Sequence, residues 1–167
     1  MADSSNRDAG EEASAAWNRG PGCLPDEAPV SSVVLDTNVV LDWLLFGDPR
    51  CAPWVHSIVS GRLRWLASAS MQSELQSVLA RGIGGSRNLD PTAIAAAWSR
   101  WAVQVDPSDQ PSPRDLCCSD GDDQKFIDLA LQVRATALIS RDRAVLKLAR
   151  RAATYGLAIV LPVDWRP

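Results

Sequence analysis

The run Val33-Val34-Leu35-Asp36-Thr37-Asn38 decides the fold class, because an all-apolar strand breaks at a carboxylate, a hydroxyl and an amide in immediate succession. Consecutive apolar residues read as a strand covered on both faces, the pattern of a parallel sheet. A carboxylate has few structural reasons to end such a strand, and in open α/β folds the carboxyl ends of the strands border the ligand crevice. Asp36 is therefore the first candidate functional residue. Val39, Val40, Trp43 and Leu44 recur at helical spacing, so the strand turns into a helix directly after Asn38, the first half of a βαβ unit.

Working toward the C-terminus, Asp48-Pro49 marks a helix start, with Trp54, Val55, Ile58 and Val59 as its apolar stripe and Gly61 as its stop. Leu63 to Ala67 reads as a second strand, and Ser68 to Ser70 lead into a helix through Leu79 that places Glu74 in its first turn. Gly82-Ile83-Gly84-Gly85-Ser86 follows a helix where a phosphate cradle follows a strand, so it reads as a helix stop and loop. Asp90-Pro91 opens another helix, Val103 to Val105 reads as a third strand, and residues 106–116 form the longest irregular segment. The acids Asp120, Asp122 and Asp123 precede a strong helix (Phe126, Ile127, Leu129, Ala130, Val133). Ala135 to Ser140 is a fourth strand ended by Arg141-Asp142, Val145 to Ala153 a helix, and Leu157 to Leu161 a fifth strand. Strands alternate with helices and no hairpin signal joins two strands, which predicts a three-layer α/β/α fold on a mainly parallel five-stranded sheet.

The N-terminal stretch is different. Residues 1–30 hold six acids against Arg7 and Arg19, a balance of −4, which leaves the rest of the chain at +1 of the total −3. With Trp17, Leu24 and Val30 as its only sizeable apolar residues, this stretch cannot offset the entropy of ordering and is expected to be a mobile acidic tail. Residues 31–167 are expected to be one folded domain, since 167 residues suffice for one core. No apolar run reaches a membrane span and no signal-peptide pattern opens the chain, so a cytoplasmic protein without membrane contact is expected. Cys23, Cys51, Cys117 and Cys118 lack CxxC spacing, and the single histidine, His56, lies within a helical pattern, so neither zinc nor histidine chemistry is indicated. Fifteen of the seventeen basic residues are arginines, which suits a phosphate-rich partner. The tryptophans Trp43, Trp54, Trp65, Trp98 and Trp101 read as core or interface rather than base-stacking platforms.

The strand-to-helix turns bring Asp36, Glu74, Asp123 and Asp142 toward one sheet edge, and these four acids are the candidate catalytic and metal-ligating residues. Carboxylates crowded in a crevice repel one another, and a hard divalent cation relieves the repulsion; oxygen-only ligation selects Mg²⁺ or Mn²⁺. Such a cation supports phosphodiester hydrolysis without a protein nucleophile. Each acid also has a structural reading: helix-dipole placement for Glu74, capping for one of Asp120, Asp122 and Asp123, and a cap or surface pair for Asp142. Asp42 and Asp128 lie on helical patterns away from the turns and read as solvated or supporting.

Four blocks resemble those of the PIN-domain nucleases, in that family's order: Val33 to Asn38, the glutamate within Met71 to Leu79, Asp122 to Ala130, and Leu138 to Leu146. The nearest branch is the toxin components of toxin–antitoxin systems. The resemblance implies a sheet ordered 3-2-1-4-5, Mg²⁺ or Mn²⁺ held by Asp36, Glu74, Asp123 and Asp142, and single-stranded RNA as substrate. It also implies Thr37 and Asn38 as shaping residues and Ser140 as the hydroxyl before the last acid. Counting back from Phe126 favours Asp123 over Asp122 as the third ligand, with Asp122 supporting. Arg141, Arg143, Lys147 and Arg150 are the candidate guides for the RNA backbone. An antitoxin protein is the implied partner, and a homodimer stays open. Two other readings stand beside this one: a PIN-like module that binds RNA or protein without cutting, and a haloacid-dehalogenase-type phosphatase using Asp36 as nucleophile. The latter wants a second acid two residues on, where this chain has Asn38.

Overall fold

The structure, a computed structural model, describes residues 30–82, 90–108 and 112–166. The expected acidic tail, apart from Val30, lies outside the described residues, as do Cys23 and positions 83–86 of the glycine-containing loop. Five parallel strands form one sheet: β1 (Ser31–Leu35), β2 (Leu63–Ala67), β3 (Ala102–Gln104), β4 (Ala137–Ile139) and β5 (Ala158–Val160), in the order β3-β2-β1-β4-β5. Seven helices connect them among the described residues: α1 (Thr37–Leu44), α2 (Ala52–Val59), α3 (Ala69–Ala80), α4 (Pro91–Trp101), α5 (Gln124–Gln132), α6 (Arg143–Leu146) and α7 (Ala149–Ala152). Helices cover both sheet faces, giving the three-layer α/β/α architecture and the 3-2-1-4-5 order expected from the sequence.

The two-sided cover explains the apolar strands. Neighbouring residues of a strand point to opposite faces, yet Val33 and Val34 are both fully buried, as are Leu138 and Ile139. On β2 the large element of the core is a chain of indoles: Trp65 packs edge-on against Trp98 of α4 with centroids 4.7 Å apart and against Trp43 of α1 at 5.7 Å. Trp43 meets Trp54 of α2 at 5.7 Å. Edge-to-face pairs at these separations add to area burial, so these four tryptophans staple three helices to one strand. Trp54, Trp65 and Trp98 are core residues, as expected.

Helix boundaries follow local chemistry. Asp36, Asp48, Asp90 and Asp142 each accept hydrogen bonds from backbone N–H groups of the turn that follows them. Gly82 stops α3 in the left-handed region, φ +76, donating its N–H to the Leu79 carbonyl. The single helix expected over 145–153 is instead two one-turn pieces, because Leu148 N–H turns back to the Val145 carbonyl, three residues away. That tighter turn lets Val145, Leu148 and Ala152 all reach the core.

Candidate active site

Asp36 leaves β1 at the carboxyl end of the central strand, its own N–H still extending the ladder to the Ile139 carbonyl at 3.0 Å. Its side chain is 2% exposed. Oδ1 accepts from Asn38 N–H at 3.3 Å, capping α1, and Oδ2 accepts from Ser140 Oγ at 2.6 Å. Ser140 ends β4 and is fully buried; its Oγ in turn accepts from the Asp142 N–H at 2.9 Å. One hydroxyl thus joins the acids of two adjacent strands. Asp142 caps α6, accepting from Ala144 N–H at 2.5 Å and Val145 N–H at 3.4 Å. Capping does not remove either residue from candidacy, because each carboxylate keeps its place at the strand edge while it caps.

Asp123 stands at the start of α5, yet its carboxylate accepts no capping hydrogen bond. A helix-start acid that does not cap is free to face the site. Asp122 beside it is exposed; its N–H is tied to Asp120 Oδ1 at 3.0 Å. Glu74 lies in the second turn of α3, because the helix begins at Ala69 rather than after Ser70. That position removes the helix-dipole explanation, whose effect fades beyond the first turn. Thr37 is buried and Asn38 exposed beside Asp36.

Two of the four acids, Asp36 and Asp123, are shifted by their surroundings. Burial raises the Asp36 carboxyl above the usual range, Ser140 and Asn38 N–H oppose the rise, and the charges of Glu74 and Asp142 add to it. Asp123 is pushed up to about 6, by burial first and then by the charges of Asp36, Asp142, Asp120 and Glu74. Mutual repulsion of this kind is what a crowded carboxylate set produces. The convergence is nevertheless incomplete: among the described residues, no three Asp, Glu, His or Cys side chains stand close enough together to hold a metal ion. The donor chemistry fits a hard divalent cation, being oxygen only and rich in negative charge, while the side chains stand apart from a common point.

Two cations touch this edge, and the sequence pointed to only one. Arg141 Nε lies 2.8 Å from Oδ2 of Asp42, whose side chain is buried. Asp42 is therefore supporting rather than solvated, with burial raising its carboxyl and Arg141 opposing that rise. The second is Lys125, whose Nζ lies 2.5 Å from Glu74 Oε2. A usable signal was present: a lysine in the first turn of a helix opposes the macrodipole and needs another reason to be there. Arg143, Lys147 and Arg150 are exposed around α6 and α7, downstream of Asp142. Asp128 accepts from Ser112 Oγ and from Gln124 Nε2, a structural role that ties α5 to the segment before it.

Beyond the expected acids, the sheet order and the Ser140 bridge, similarity to known families is direct. A family model described as PIN domain matches residues 32–144. No curated protein matches the chain. The matched span contains all four acids, Ser140, strands β2, β3 and β4 and all of β1 but Ser31, and takes up more than half of the sequence; the chain belongs to the PIN-domain family.

Proposed function

We propose that this protein is a divalent-cation-dependent endoribonuclease that hydrolyses phosphodiester bonds of single-stranded RNA, acting as the toxin of a toxin–antitoxin pair. The observation that carries the reading is the hydroxyl of Ser140, which joins buried Asp36 to Asp142 at the carboxyl ends of two adjacent central strands inside the span that matches the PIN-domain model. In this reading Asp36, Glu74, Asp123 and Asp142 hold Mg²⁺ or Mn²⁺. Bound there, the cation supplies Lewis acidity toward a phosphodiester and makes a nearby water more acidic.

The protein's own groups do the positioning. Ser140 fixes the Asp36 carboxylate and, through the Asp142 N–H, the start of α6. Thr37 and Asn38 shape the wall next to Asp36, and Asp122 supports the turn before α5. Arg143, Lys147 and Arg150 guide the phosphate backbone toward the edge, with Arg141 contributing through the charge it shares with Asp42. Incubation of purified protein with single-stranded RNA and Mn²⁺, beside Asp36→Asn prepared identically, tests the reading. Cleavage by the wild type and at least a hundredfold loss in the variant are expected; equal rates refute it.

The incomplete convergence of the carboxylates favours a second reading, a PIN module that binds RNA or a protein without cutting. Calorimetric titration with Mn²⁺ separates the two. Saturable binding supports the nuclease, and its absence supports the silent module.

A further inference from the structure

Lys125 occupies the first turn of α5, two residues after Asp123. Its Nζ lies 2.5 Å from Glu74 Oε2 and 2.5 Å from the Asp122 carbonyl oxygen, and 5.2 Å from the centroid of the Phe126 ring. Among the described residues it is the one cation in an ion pair with any of the four site acids. An ordinary surface pair of this type stabilises little, because water screens it and two long side chains must be ordered. Here the ammonium is held from three directions and both partners are only about a quarter exposed, 27% for Lys125 and 28% for Glu74. Its site on the helix is also the end where a positive charge is disfavoured. The compensating interaction is the carboxylate edge itself.

We propose that Lys125 is the built-in counter-charge of this edge: its ammonium neutralises Glu74 until a divalent cation takes over that role. The inference rests on the metal-binding reading above. Divalent cation and ammonium compete for the same carboxylate, so Lys125 is a positioning residue that sets the affinity and not a ligand. Once Glu74 turns to the cation, the freed ammonium stays next to the site.

The test is Mn²⁺ titration calorimetry and thermal unfolding, with and without Mn²⁺, on wild type, Lys125→Met and Lys125→Arg. Removing one positive charge beside a divalent ion is expected to tighten Mn²⁺ binding roughly three- to tenfold, the Coulomb effect of a unit charge in a water-like dielectric. The metal-free Met variant is expected to melt below the wild type, and Mn²⁺ to raise its Tm by more. Lys125→Arg keeps the charge and is expected to bind Mn²⁺ as the wild type does. Should the Met variant fail to fold, Lys125→Gln carries the same comparison. Wild-type binding with equal or weaker affinity in the charge-removing variant overturns this inference and leaves the metal reading standing. A wild type that does not bind Mn²⁺ overturns the metal reading and this inference with it.

Discussion

Ser140 donates its hydroxyl to Asp36 Oδ2 at 2.6 Å, across a sequence separation of 104 residues. Because the same oxygen accepts the Asp142 N–H, it orients one candidate ligand through its side chain and another through its backbone. Loss of such an outer-shell partner commonly lowers metal affinity or activity about 10- to 100-fold. Ser140→Ala is expected to fall in that range. The hydroxyl lowers the Asp36 carboxyl against burial, so its removal also moves the acid limb of the pH–rate profile upward. Steady-state cleavage rates across pH check both effects, and Ser140→Thr separates lost hydrogen bonding from lost packing.

Asp123 links pH to stability in the metal-free protein. Its folded pKa, about 6, lies above the ordinary 3.8, so between those values the folded state binds more protons than the unfolded chain. Stability therefore falls as pH rises from about 4 to 6, and the penalty persists above it. Asp123→Asn is expected to melt higher than the wild type at pH 8 and to lose that advantage as pH drops through the window. Adding Mn²⁺ is expected to reverse the order at pH 8, since only the wild type keeps the proposed ligand. Thermal melts in a chelator and in Mn²⁺ check the sign.

Arg141 is engaged with buried Asp42, whereas Arg143, Lys147 and Arg150, exposed as it is, form no ion pair among the described residues. Arg141→Ala leaves a buried carboxylate without its partner and is expected to destabilise by about 1–3 kcal/mol, less than a fully buried pair because the guanidinium is partly solvated. Alanine at any of the other three positions is expected to leave stability within about 0.5 kcal/mol. Where the deleted cation meets a phosphate of single-stranded RNA, the salt slope of binding is expected to fall by about 0.7. Urea melts and RNA affinity across a salt series sort the four residues.

Arg134 ends α5 with φ +51, in the left-handed region. Ala135 N–H closes on the Ala130 carbonyl at 2.8 Å and Arg134 N–H on that of Leu131 at 3.1 Å, the pairing of a Schellman motif. Glycine adopts this conformation freely, though it loses more backbone entropy on folding. The left-handed penalty is the larger, so Arg134→Gly is expected to stabilise by about 0.5 kcal/mol. Chemical denaturation measures it, and a variant less stable than wild type would show that the arginine side chain matters more than its backbone.

What patterning along the chain determined was the sequence of elements. Val33 to Leu35, Leu63 to Ala67 and the helical stripe from Phe126 to Val133 are set by short-range periodicity, and short-range periodicity is readable without coordinates. The strand order came from resemblance rather than periodicity, and the observed sheet agrees with it. The acids at the strand ends were legible too, since a carboxylate closing an apolar run is locally out of place. Only tertiary structure decided how those acids are held. The Ser140 bridge, the pairing of Lys125 with Glu74 and of Arg141 with Asp42, and the interlocked indoles of Trp43, Trp54, Trp65 and Trp98 join elements far apart in the chain. Their partners are chosen by sheet register and helix packing, so the burial, and after it the crevice charge, that raise the Asp36 and Asp123 carboxyls exist only once the chain is folded.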